Sequence, residues 1–196
     1  MKNILLSIII AFITVSCSTD WNFVNTGLAK EHFDGTMYEY FKSNRYDWDS
    51  LRVMVEHAGL VDLFNGSEAI TLFGPTNISI RKWMNNNGYE SIQGLDKEMI
   101  KTKILDCVFE GKLLRDEIPE GDFKNQERIG GKEYTAKSGK TIWIYRYRLS
   151  DGAELHAGAA ILYLQGNVST DVASSNIQPT NGVVHSLSYN YIFGSL

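Results

Sequence analysis

Apolar side chains recur at helical spacing in the first half of the chain and at alternate positions in the second. Trp48, Leu51, Val55 and Ala58 fall on one face of a helix. The spacing predicts a helix over residues 47–58, with Asp47 as its N-cap and Gly59 ending it in the left-handed conformation. A shorter helix is predicted over residues 37–42. Residues 69–73 form a brief β-type run closed by Gly74-Pro75, and Asn77 is placed to cap a helix reaching Trp83. The run Asn85-Asn86-Asn87-Gly88 breaks that helix. Asp96 caps another, with Ile100, Ile104, Cys107 and Val108 on one face.

From Gly111 onward the period becomes two. Residues 141–149 alternate strictly: Trp143, Tyr145 and Tyr147 face one way, Ile144, Arg146 and Arg148 the other. Two readings of the aromatic row stay open. The arginines on the opposite face favour a core-facing row, whereas an exposed row could stack on sugar rings or hold a peptide. Residues 159–164 are apolar enough for a buried strand. Residues 183–193 alternate again, with Leu187, Tyr189, Tyr191 and Phe193 sharing a face, and the polar stretch 166–175 reads as a long hairpin loop. Helices crowding one half and strands the other predict an α+β domain with segregated helices, not a doubly wound sheet.

The first residues read as an address. Lys2 supplies a positive start, and residues 4–15 are apolar except for Ser7 and Thr14. Twelve helical residues would span about 18 Å, short of the ~30 Å hydrocarbon core of a bilayer. That length fits the apolar region of an export signal. The stretch ends in Thr14-Val15-Ser16-Cys17, which resembles the lipobox of bacterial lipoproteins, although Thr14 stands where that motif usually has leucine. The resemblance implies a signal peptide over residues 1–16, acylation of Cys17, a tether over residues 17–35, and a domain over residues 36–196. Multiple acyl chains would hold such a protein stably at a membrane, here the outer membrane, on its surface or periplasmic side.

Composition narrows the field. The chain has 196 residues, 43% of them hydrophobic, and a net charge of −4, enough for one packed domain. Its 19 basic residues are outnumbered by 23 acidic ones and form no block, so nucleic-acid binding has no electrostatic basis. With Cys17 acylated, only Cys107 remains of two cysteines, and an internal disulfide is excluded.

Two further segments carry a family resemblance. Thr71-Leu72-Phe73-Gly74-Pro75-Thr76-Asn77 is similar to the first signature of fasciclin-type (FAS1) domains, Thr-x-Phe-Ala-Pro-Thr-Asn. Asn181-Gly182-Val183-Val184-His185 is similar to the second. The resemblance implies a wedge-shaped β-sandwich with helices packed along one side, and a role in adhesion or protein–protein interaction. Thr71, Phe73, Pro75, Thr76, Asn77, Asn181, Gly182, Val184 and His185 are read mainly as folding residues, with ligand contact the lesser reading. His185 is expected to be a hydrogen-bonded core histidine, and Gly74 a conservative replacement for alanine. Animal adhesion members carry a Tyr-His pair where this chain has Asp106 and Cys107, so integrin-type adhesion is not carried over. The lead-in at residues 35–40 resembles that of accessory lipoproteins of bacterial nutrient or glycan importers. The implied partners are therefore a membrane, through lipid, and an envelope protein or surface glycan.

Catalytic chemistry finds little support. Ser138-Gly139-Lys140-Thr141 ends like a phosphate-binding loop but lacks the earlier glycine, Tyr134 standing there, and a strand follows. His32, His57, His156 and His185 show no ligand spacing, so neither metal nor cofactor is expected. Asp116 and Glu117 read as solvated surface. Cys107 reads as a buried thiol. No enzymatic activity is expected.

Overall fold

A computed structural model describes residues 31–148, 160–166 and 169–196. The signal segment 1–16, Cys17, the tether as far as residue 30, His156, and residues 149 and 159 at the predicted strand ends lie outside the described residues.

Helices come first. Thr36 caps α1 (Met37–Ser43) through a capping box with Glu39, and Met37 and Phe41 point into the core. α2 (Arg45–His57) follows at once, so its N-cap is Asn44 and not Asp47, which falls inside the first turn. Trp48, Leu51, Met54 and Val55 form its buried stripe. Gly59 takes the expected left-handed conformation (φ +70°). A five-residue helix, α3 (Val61–Asn65), was too short for periodicity to reveal, yet it buries Phe64 completely. α4 (Asn77–Asn86) continues past Trp83 into the asparagine run, and Thr76 occupies its N-cap. α5 (Lys97–Leu105) is capped by Asp96 as predicted. It stops before Cys107 and Val108: Cys107 sits in the turn beyond, and Val108 opens a strand.

The strands are β1 (His32–Phe33), β2 (Ile70–Gly74), β3 (Val108–Glu110), β4 (Gly121–Lys124), β5 (Glu127–Gly130), β6 (Lys132–Thr135), β7 (Thr141–Arg148), β8 (Ala160–Gln165), β9 (Ser169–Pro179) and β10 (Gly182–Leu187). The main sheet runs β3-β2-β10-β9-β8-β7-β6, with β1 added alongside β9. β1 lies within the segment assigned to the tether. β9 is shared: Ser169, Thr170 and Asp171 pair with β8, while Val172, Ser174 and Ile177 pair with β10 through two irregularities. A bridge between Phe109 and Ala136 brings the two ends of the sheet together. The result is an α+β arrangement, one main sheet whose ends meet with helices packed against it, in line with the expected fold class.

Two further predicted boundaries move. The polar stretch 166–175 is not all loop, because β9 starts at Ser169. Thr170 and Val172 alternate inward there, and strand pairing on both sides satisfies the backbone despite the polar composition. The final strand stops at Leu187, and turns follow. Those turns still bury Tyr191 and Phe193, whereas Tyr189 stays exposed. The alternating pattern thus marked Leu187, Tyr191 and Phe193 as buried correctly, but it overstated the strand and placed Tyr189 with them.

Candidate functional site

The two signature segments, about 110 residues apart in sequence, are adjacent parallel strands. β10 pairs with β2 in the register Val183↔Thr71, Val184↔Leu72 and His185↔Phe73. Val184, Phe73, Thr71 and His185 are fully buried, Thr76 and Asn181 nearly so, and Pro75 is buried.

Thr71, Asn77, Asn181 and His185 each bond backbone groups of their own domain, while the Thr76 hydroxyl faces the Ser79 hydroxyl at 3.4 Å. The Thr71 hydroxyl donates to the Gly111 carbonyl at 2.7 Å and accepts from the Leu113 amide at 2.8 Å. His185 Nε2 donates to the Leu113 carbonyl at 2.8 Å, and Nδ1 faces the Asn176 amide at 3.4 Å. Its ring stacks on Phe73 at 4.7 Å. Burial in this apolar setting pushes the imidazole down to about 4, so it is neutral near pH 7. Both side chains therefore fasten the loop that follows β3.

Asn181 does the same for the helices. Its carbonyl accepts from the Met37 amide at 2.8 Å, and its amide donates to the carbonyls of Phe64 and Gly66 at 3.0 and 2.8 Å. The start of α1 and the end of α3 meet on one side chain. At Gly182, a Cβ would lie 2.0 Å from the Ile70 carbonyl oxygen, so only glycine lets the two strands approach.

Asn77 does not cap its own helix. Its amide donates to the carbonyls of Arg45 and Tyr46 at 2.9 and 2.7 Å, and its carbonyl accepts from the Ser50 amide at 2.6 Å. The Tyr46 carbonyl and Ser50 amide are partners in a regular helix, and Asn77 bridges them, locking α4 to the first turn of α2.

The aromatic row belongs to a closed stack. Trp143 and Tyr145 are only 3% and 5% exposed, and Tyr147 is half-buried. Trp143 stacks on Tyr145 at 4.3 Å, Tyr145 on Tyr163 at 5.3 Å, and Tyr147 meets Tyr163 edge-on. The hairpin formed by β4 and β5 covers the end of the stack. Arg128 lies over the Trp143 ring, Phe123 packs against it, and Trp143 Nε1 donates to the Gly130 carbonyl at 3.0 Å. The ring faces of Trp143 and Tyr145 that a sugar would need are already in contact with other rings or with Arg128, whereas Tyr147 meets a ring only edge-on.

Other candidates have structural partners. Asp116 pairs with Arg115 and Arg146, which hold its carboxyl below the usual range. Cys107 is buried, and desolvation pushes its thiol up to about 12. His57 bonds the Leu95 carbonyl at 2.8 Å. Among the described residues no three His, Cys, Asp or Glu side chains are grouped to hold a metal. No described helix is long and apolar enough to cross a membrane.

The sequence reading missed the surface. Tyr46 is 84% exposed and Ile78, at the start of α4, is 38% exposed. Ile129 and Phe123 on the hairpin, and Tyr189 and Ile192 near the C-terminus, are also exposed. Tyr46 falls off the apolar stripe of α2, which was the only signal available.

The fasciclin domain family matches residues 47–189. No curated protein matches the chain. Among solved structures, it is similar to the FAS1 domain pair of the insect cell adhesion molecule fasciclin I. Identity there is 15% and the TM-score 0.44, over 82% of this chain. The chain spans about half the length of that relative, 46%. The chain belongs to the fasciclin (FAS1) domain family.

Proposed function

We propose that this protein is a lipoprotein, acylated at Cys17 and held at the outer membrane, whose FAS1 domain binds another component of the cell envelope. It acts as an accessory subunit of a nutrient or glycan importer and catalyses no reaction. One observation carries the interaction role: Thr71, Asn77, Asn181 and His185 all bond backbone groups inside the domain. The signature region is thus engaged in holding the fold, and recognition falls to the outer surface. Lipid anchoring rests on the lipobox-like end of the leader.

The test is affinity capture of the full chain from solubilised outer membrane after mild crosslinking. Stoichiometric recovery of a transporter supports the reading, and recovery of the chain alone counts against it. A Cys17→Ala variant should lose lipid labelling and leave the membrane fraction. Retained acylation in that variant would refute the anchor.

A further inference from the structure

The most exposed large hydrophobic side chain among the described residues, Tyr46, sits on a rigid support. Asn77 holds the Arg45 and Tyr46 carbonyls and the Ser50 amide, so the backbone beneath the ring is fixed from a second helix. Ile78 follows Asn77 directly and is exposed beside it. Three and four residues on, Arg81 and Lys82 fall on the same outer face of α4, both exposed. Neither has an ion pair among the described residues, whereas Arg45, next to Tyr46, is paired with Asp49 at 3.0 Å. Half-buried Asp47 is the other carboxylate of that turn.

An isolated exposed tyrosine needs no explanation. A tyrosine and an isoleucine carried on two helices that Asn77 ties together, with two unpaired cations on the isoleucine's face of α4, on a protein of net charge −4, have the make-up of a recognition hot spot. A pre-fixed support lowers the ordering cost of binding. The cations select for carboxylates, and the ring and aliphatic side chain select for an apolar group between them.

We propose that Tyr46, Ile78, Arg81 and Lys82 form a docking surface for a partner protein segment that presents a large apolar side chain flanked by Asp or Glu. This rests on the reading above that the domain is an interaction module, and it names the surface and the partner's chemistry.

The test uses the detergent-extracted full chain as target for a random peptide library displayed on phage. Selected peptides should carry a large apolar residue among acidic ones. Measured by fluorescence anisotropy, their affinity should fall at least ten-fold in Tyr46→Ala and in Arg81→Glu/Lys82→Glu. It should weaken with salt and be unchanged in the hairpin control Ile129→Ser. All four positions are exposed, and circular dichroism verifies that the variants fold. An empty selection, peptides without acidic residues, or equal binding by every variant would overturn the proposal. So would a concentration-dependent dimer abolished by Tyr46→Ala, which would place a second copy on the surface. Binding to phosphatidylglycerol vesicles that the charge reversal abolishes, with no peptide selected, would assign the patch to the membrane instead. If the wild-type chain and both variants capture the same transporter equally, the interaction reading stands and this surface fails.

Discussion

His185 Nε2 donates to the Leu113 carbonyl at 2.8 Å from a site with no exposed surface, tying the last long strand to the loop after β3. Asn176, in the left-handed region at φ +64°, puts its amide toward the other ring nitrogen and accepts from the Arg115 amide at 2.8 Å. A neutral imidazole suits both contacts, and a charged one would lose the acceptor and face Arg115. The imidazole titrates at about 4 when folded, against 6.5 ordinarily. The unfolded chain therefore binds this proton first, and the contribution of His185 is fully present above pH 6.5. It is lost as pH falls from there toward 4, by about 3 kcal/mol in total. Urea unfolding of wild type and His185→Gln across this range should show a shallower pH slope in the variant. Equal slopes would mean that His185 is not the titrating group.

Asn181 joins the start of α1 to the end of α3, and its amide is asymmetric in use: one acceptor contact, two donor contacts. Asn181→Ala leaves the Met37 amide and two carbonyls without their partner, at a cost of about 3 kcal/mol. Asn181→Asp keeps the acceptor but turns a carboxylate toward the carbonyls of Phe64 and Gly66. It should destabilise at least as much as alanine at pH 7 and recover partly as acid protonates it. Denaturation midpoints of the two variants at two pH values decide this.

What was legible in the sequence follows from what kind of contact each residue makes. Periodicity exposed the stripe of α2 and the alternation of β7 because burial repeats with the local geometry. It placed Tyr191 and Phe193 inside but gave them a strand they lack, since turns can also bury every second residue. It missed α3, where a single buried Phe64 sets no period. It assigned Asn77 to its own helix because capping is a local rule, whereas the observed partners are some thirty residues earlier. Both faces of β7 are covered, which alternation could not reveal: the hairpin over Trp143 is itself mostly polar.

Cys107 offers a probe of the core. Its sulfur is 3.7 Å from the Tyr191 hydroxyl, and the thiol titrates at about 12 when folded. Thiol reagents act on the thiolate, so labelling of the native protein should proceed only through opening of this region. At pH 8 in native buffer, 5,5′-dithiobis(2-nitrobenzoate) should react slowly, and in urea within the mixing time. Fast native labelling would show that the region around Tyr191 opens readily.

Gly74 stands where the signature that this chain resembles has alanine, and its surroundings argue that alanine would be costly here. A Cβ built there would lie 2.3 Å from Cζ3 of Trp48, far inside van der Waals contact. Trp48 is 1% exposed and stacks on Phe41 at 5.8 Å, so the indole has little room to retreat. Gly74→Ala should cost about 1–3 kcal/mol through overpacking. Trp48→Phe removes the clashing ring edge and leaves a void that the added methyl partly fills. The double variant should therefore be more stable than the sum of the single losses predicts, with a coupling of about 1 kcal/mol or more. Strict additivity in a double-mutant cycle would show that the indole yields to the methyl at no cost, and that Gly74 owes nothing to Trp48.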